Sequence, residues 1–208
     1  MKLVVLGATG GIGLEIVRQA IELGHSVTAI VRSPEALKQF GSRISVTQGD
    51  LLNSAELAVL IGGHDAIISG FGARLPLSQE DDDLLRRFAA SLTDAMKRSG
   101  VRRAVVVSTA FLFKDAIFPP ANLFGRLFFP SVVTDATGME EVLMKAGLDC
   151  TIVRPPQLTN KPHTGKYRVV QGHLPIFGFN ISRADVADFM IKTVDDRSSI
   201  GKVVGVSN

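Results

Sequence analysis

Residues 2–13 read KLVVLGATGGIG. An apolar run of strand length, ending at Gly7, passes through glycines into LEIVRQAIELG, whose apolar residues recur at helical spacing. A buried strand that turns on glycine into a helix is the opening unit of a parallel sheet. In that context each glycine has a physical task. Gly7 permits the tight turn. Gly10 and Gly11, with Thr9 and Ile12 beside them, bring the backbone close to a pyrophosphate. Gly13 lets helix and strand pack closely, and the anion rests on free N–H groups at the helix N-terminus. A glycine-rich turn that binds nothing is the competing reading.

Working outward, the pattern repeats. SVTAIVR (26–32), ISVTQGD (44–50), AIISG (66–70), RAVVVST (103–109) and DCTIVRP (149–155) are short aliphatic and β-branched runs. Helix-length amphipathic stretches follow most of them, including SAELAVLIGG and TDATGMEEVLMKAG (134–147). Strands buried on both faces and alternating with helices predict an α/β fold: a Rossmann-type doubly wound parallel sheet flanked by helices. With no linker, repeat or low-complexity tract, residues 1–208 are expected to form a single domain. Ser78-Gln79-Glu80-Asp81 has the form of a capping box, with Asp81 to Asp83 in the first turn of the longest helix and Lys97 and Arg98 in its last. Ser182-Arg183-Ala184-Asp185 has the same form before VADFMIKTV.

Composition narrows the function classes. Hydrophobic content of 46%, charged content of 21% and a net charge of +3 describe an ordinary soluble protein, and no Lys/Arg block with interleaved aromatics points to nucleic acid. The single cysteine, Cys150, cannot form an internal disulfide, which suits a cytoplasmic protein, and its apolar setting reads as a buried inert thiol. The four histidines show no spacing suited to a metal. Half of the twelve Phe lie in FLFKDAIFPPANLFGRLFFPSVV (111–133). Lys114, Asp115, Arg126 and the prolines break this run below the roughly 18 apolar residues a membrane span requires.

The end of the second strand bears on the choice of dinucleotide. An acid there would accept from the ribose hydroxyls of NAD; the chain has Arg32-Ser33 instead. An arginine at this point pairs with a 2′-phosphate, so NADP(H) is the expected cofactor. Asp50 and Leu51, ending the third strand, are placed near the adenine, and Ser69 and Gly70, ending the fourth, along the ribose and nicotinamide.

GATGGIG, the GD of QGD, VVVST, TIVRPP and SRADVADFM, in this order, resemble the atypical short-chain dehydrogenase/reductase superfamily, NmrA-like, over nearly the whole chain. STAFLF followed by PP, then MEEVLMKAGL and RPPQLTNKPHTGKY, are similar to its flavin reductase/biliverdin-IXβ reductase group. The resemblance implies site positions at Ser108 and Thr109, at Pro155 beside the cofactor, and at Arg74 in a clamp over cofactor and substrate. Gln157 stands where that group carries a His, and it can hydrogen-bond but not relay a proton near neutrality. Standard members use a Tyr-x-x-x-Lys pair; the only tyrosine, Tyr167, is followed four residues later by Gln171. Reversible alcohol oxidation thereby loses its main acid/base.

The function expected on these grounds is NADPH-dependent hydride transfer to a flat conjugated acceptor such as a flavin or quinone, whose delocalisation absorbs the charge. The group is largely monomeric. A non-catalytic NADP(H) sensor is the alternative, and an epimerase or dehydratase is disfavoured by the missing tyrosine. Ser108, Thr109 and Gln157 are the catalytic candidates. Phe111, Phe113, Phe124, Phe128, Gln157 and His163 are the candidate substrate contacts, with the loop at about 110–133 forming a lid or a partner-binding patch.

Overall fold

In a computed structural model, described over residues 1–72, 83–113 and 130–208, Lys2–Leu6 (β1) leads through the glycine turn into Gly11–Glu22 (α1). The next strands are Ser26–Val31 (β2), Ser45–Gln48 (β3), Ala66–Ser69 (β4), Arg103–Val107 (β5) and Asp149–Arg154 (β6). Helices Ser54–Ile61 (α2), Leu84–Ser99 (α3) and Pro130–Lys145 (α4) alternate with them, and the stretch from Pro34 to Arg43 is 3-10 rather than α-helical. Beyond β6 come Gln157–Thr159 (β7), Arg168–Gln171 (β8), Asn180–Ser182 (β9), Arg183–Asp195 (α5) and Lys202–Ser207 (β10).

The sheet has eight strands in the order β3-β2-β1-β4-β5-β6-β10-β8. Every pairing in it is parallel except that of β8 with β10, where Val204 faces Gln171. Both faces are covered, as the apolar strands require. On one, Ile16 and Val17 of α1 and Val186 and Met190 of α5 pack together; on the other, Leu57 of α2, Phe88 and Leu92 of α3 and Met139 of α4. The chain progresses outward from β1 through β2 to β3, then crosses back to β4 on β1's other side. That reversal opens a crevice at the carboxyl ends of β1 and β4, where ligands of such sheets bind.

The start of α3 differs from expectation. The helix begins at Leu84, and Asp83 precedes it at φ 70 instead of lying in the first turn; Ser78 to Asp82 lie outside the described residues. The buried Asp135 of α4 takes the capping role, accepting from the Leu85 N–H at 2.8 Å and the Arg86 N–H at 2.9 Å. A carboxylate from a neighbouring helix thus satisfies the free donors that a local acid would otherwise meet. At the other end Gly100, at φ 79, donates to the Met96 carbonyl.

Candidate functional site

The glycine turn has little room for side chains. Gly7 sits at φ 69, and a Cβ on it would lie 2.5 Å from the Phe71 nitrogen. A Cβ on Gly13 would lie 2.0 Å from the Gly7 carbonyl oxygen, so helix and strand meet backbone to backbone. The Gly10 N–H donates to the Gly7 carbonyl at 2.9 Å, closing the turn. Gly10 precedes α1 with no side-chain cap, and no acid occupies the helix's first turn. The free N–H groups and the positive end of the dipole are therefore available to an anion.

Beside this turn lies a cleft of about 290 Å³, bordered by Gly7, Thr9, Arg32, Asp50, Leu51 and Gly70 among others. It brings together the residues that sequence reasoning drew from four separate strand ends. Leu84 and Phe71 complete its apolar wall, and Phe71 packs on Phe88 with ring centroids 4.6 Å apart. Exposed Arg32 also borders an open groove with Gln48, Asp50 and Glu56. Its guanidinium has no hydrogen bond or ion pair with the described residues. Ser33 is exposed beside it. Buried Ser69 uses its hydroxyl oxygen locally, accepting from the Phe71 N–H at 3.3 Å. A glycine cradle, an apolar wall and a cation with no partner among the described residues fit an adenine dinucleotide.

The carboxyl ends of β5 and β6 hold a different arrangement. Ser108 follows β5, and its Oγ donates to Glu140 Oε1 at 2.5 Å. Glu140, in α4, is buried and gripped by Arg154 at the end of β6, with Nε to Oε1 at 3.0 Å and Nη2 to Oε2 at 2.6 Å. The same guanidinium lies 4.6 Å from the ring centroid of Phe113. The carboxylate, forked by the arginine, accepts the Ser108 hydroxyl as well. The single Ser108 proton is committed to it, so toward any further partner the serine oxygen accepts. Thr109 Oγ1 accepts from the Phe111 N–H at 3.3 Å, capping the turn Ala110–Leu112, and the Pro155 carbonyl accepts from the Ala110 N–H at 3.0 Å. Gln157 opens β7 with an exposed side chain, its N–H donating to the Phe179 carbonyl at 3.3 Å. Phe113 is buried against Ala110 and Leu174, whereas Phe111 is partly exposed. Arg74, Phe124 and Phe128 lie outside the described residues.

Tyr167 and His163 stand elsewhere, on the side of the sheet covered by α1 and α5. The Tyr167 hydroxyl donates to Asp188 Oδ2 at 2.7 Å and its ring meets Phe189 edge-on. Burial first, then the bond to Asp188, pushes its pKa above the usual tyrosine value. His163 Nε2 lies 3.5 Å from Asp188 Oδ1. Neighbouring Asp185 is buried, which raises its pKa, but the N–H groups of Thr164 and Gly165 and the amide of Asn208 prevail and hold it down to about 2. Ser182 caps α5 as its Ser-x-x-Asp form predicts, accepting from the Asp185 N–H at 2.9 Å. The reciprocal half comes from Asn208, whose Oδ1 accepts from the Ser182 N–H at 3.1 Å. Among the described residues no group of three or more His, Cys, Asp or Glu is placed to hold a metal, and no helix is long and apolar enough to cross a membrane.

Glu140, Arg154 and Asp135 were missed by sequence reasoning. Glu140 lies in MEEVLMKAGL and Arg154 in TIVRPP, but nothing local pairs a helix acid with the last residue of the next strand.

Comparison with known proteins agrees with this geometry. A family model described as NAD(P)H-binding matches residues 7–197. An uncharacterised chloroplast protein of Arabidopsis thaliana is 31% identical over 99% of this chain and 76% of its own length. The photosystem II assembly factor Ycf39 of Synechocystis is 28% identical over 74% of this chain, which spans only 44% of that protein. Among solved structures, the anaerobilin reductase ChuY of Escherichia coli O157:H7 superposes with a TM-score of 0.81 at 22% identity, covering 100% of this chain and 97% of that one, a likeness of fold. The chain belongs to the NAD(P)H-binding family, within the atypical short-chain dehydrogenase/reductase superfamily.

Proposed function

We propose that this protein is an NADPH-dependent reductase that delivers hydride to a flat conjugated acceptor, of which a flavin and a quinone are the simplest examples. The observation that carries this reading is the commitment of the Ser108 proton to Glu140. With Tyr167 bonded to Asp188 on the other side of the sheet, neither hydroxyl is set to protonate a developing alkoxide. An acceptor that delocalises the incoming charge and takes its proton from solvent avoids that requirement.

The bound dihydronicotinamide supplies the hydride. Gly10, Gly11 and the first turn of α1 receive the pyrophosphate, Arg32 pairs with the 2′-phosphate, and Leu51, Phe71 and Leu84 exclude water from the adenine side. Ser108, as an acceptor, orients an N–H donor of cofactor or substrate. Thr109, Pro155, Gln157 and Phe111 border the acceptor. Arg74, Phe124 and Phe128 belong to the same proposal as clamp and lid.

The test is steady-state NADPH oxidation with FMN, FAD and several quinones, in wild type and Arg32→Ala. Arg32→Ala is expected to raise KM for NADPH about tenfold or more while leaving that for NADH nearly unchanged. Equal losses for both would remove the 2′-phosphate assignment. The similarity to an assembly factor favours one second reading, a non-catalytic NADP(H) sensor. Saturable NADPH binding without turnover on any acceptor would select it.

A further inference from the structure

The side chain of Arg183 lies across the first residue of α1. A Cβ built on Gly11 would stand 2.5 Å from Arg183 Cδ and 2.7 Å from its Nε. Glycine at position 11 therefore makes the room that this side chain occupies. The guanidinium has one hydrogen bond among the described residues, from Nη1 to Oδ1 of exposed Asn160 at 2.6 Å, and no carboxylate pairs with it there.

This placement is built in. Arg183 is the first residue of α5, whose start is fixed by the Ser182 cap. The two helices are tied by a buried hydrogen bond from Gln19 Nε2 of α1 to the Ala184 carbonyl at 2.9 Å. A shift of α5 along α1 would break that bond, so the arginine stem is held over the uncapped end of α1.

We infer that Arg183 is a binding residue for the cofactor pyrophosphate, a second cation working apart from Arg32. The inference rests on the NADPH reading of the cleft. A dinucleotide phosphate carries negative charge in two places, the 2′-phosphate and the pyrophosphate. Arg32 serves the first. At the second the glycine turn offers backbone dipoles, and among the described residues Arg183 adds a full charge and forked donors at the same helix end. Asn160 is a neutral partner that releases the guanidinium at low cost.

The experiment measures binding rather than turnover, by calorimetric titration with three probes. NADP⁺ and 2′-phospho-ADP-ribose carry the pyrophosphate; 2′-AMP carries only the phosphate assigned to Arg32. Arg183→Ala is expected to weaken the first two about tenfold or more and to leave 2′-AMP unchanged, with Arg183→Lys retaining part of the affinity. Gly11→Ala, which pushes the arginine stem aside, is expected to weaken the same two probes. Equal loss for all three probes would show a structural role and overturn the assignment. Unchanged NADP⁺ affinity in Arg183→Ala, including the case where only KM for an anionic acceptor rises, would overturn it as well. Failure of wild type to bind any probe would instead bring down the NADPH reading on which it rests.

Discussion

Two arginines anchor opposite ends of the β5–β6 pair, and they are satisfied in different ways. At the amino end Arg103, 9% exposed, donates to carbonyls of Ala104, Asp149, Thr193 and Val194 and to the hydroxyls of Thr151 and Ser199, at 2.6–3.2 Å. Thr193 and Val194 lie in the last turn of α5, where a cation also meets the negative end of the helix dipole. At the carboxyl end Arg154 grips one carboxylate, and that carboxylate takes the proton of Ser108. The first arginine spreads its donors over neutral acceptors and closes off its end of the sheet. The second builds a charged pair one hydrogen bond away from the residue proposed to face cofactor or substrate. Charge is thus concentrated where chemistry is proposed and dispersed where only cohesion is required.

The largest effect is expected where charge is concentrated. Arg154→Met leaves Glu140 buried without its partner, and urea denaturation should show a loss of about 3–5 kcal/mol. Adding Glu140→Leu should restore most of it; a double variant no more stable than the single one would break the contrast. Arg103→Met should lose about 3 kcal/mol, because buried acceptors such as the Thr151 and Ser199 hydroxyls lose their charged donor. NADPH affinity should stay at the wild-type level in this variant, and an altered affinity would join the two ends that the geometry separates. Glu140→Gln removes the charge facing Arg154 but keeps the side chain's shape, so its stability loss should be smaller than that of Arg154→Met. Its signature lies in kinetics, with kcat for the acceptor falling severalfold as the Ser108 hydroxyl loses its carboxylate partner and KM for NADPH nearly unchanged. An unchanged kcat would make Ser108 a bystander.

The same contrast explains what could be read from the sequence. The strands β1 to β6 were visible because each is a compact apolar run, and the glycine turn because its seven residues are contiguous. Arg32, Asp50 and Ser69 followed, since each ends a strand that the pattern had already located. Strands β7 and β9 are three residues long with a single aliphatic residue each, Leu158 and Ile181, so no apolar run marks them. Arg103 was read only as the start of a strand, because its acceptors Thr193, Val194 and Ser199 lie about 90 or more positions away. Asp135 capping α3 from α4 is likewise a contact between distant residues, with no local trace. The Ser182 cap was legible from Ser-x-x-Asp, but the meeting of Arg183 with Gly11 joins the far end of the chain to its beginning. Spacing reveals what one segment does to itself, and tertiary contact decides the rest.

The lone cysteine turns the sheet's own breathing into a measurable signal. Cys150 sits in β6 beside the Arg103 fastening, 1% exposed, with its thiol pushed up to about 11 chiefly by burial. A thiol reagent in native buffer therefore reacts only through openings that expose β6, and its rate reports their free energy without any denaturant. A dinucleotide that binds the closed sheet and not the opened one should slow the reaction in proportion to its occupancy. The chain so carries its own reporter for ligands, one that needs neither turnover nor a known acceptor.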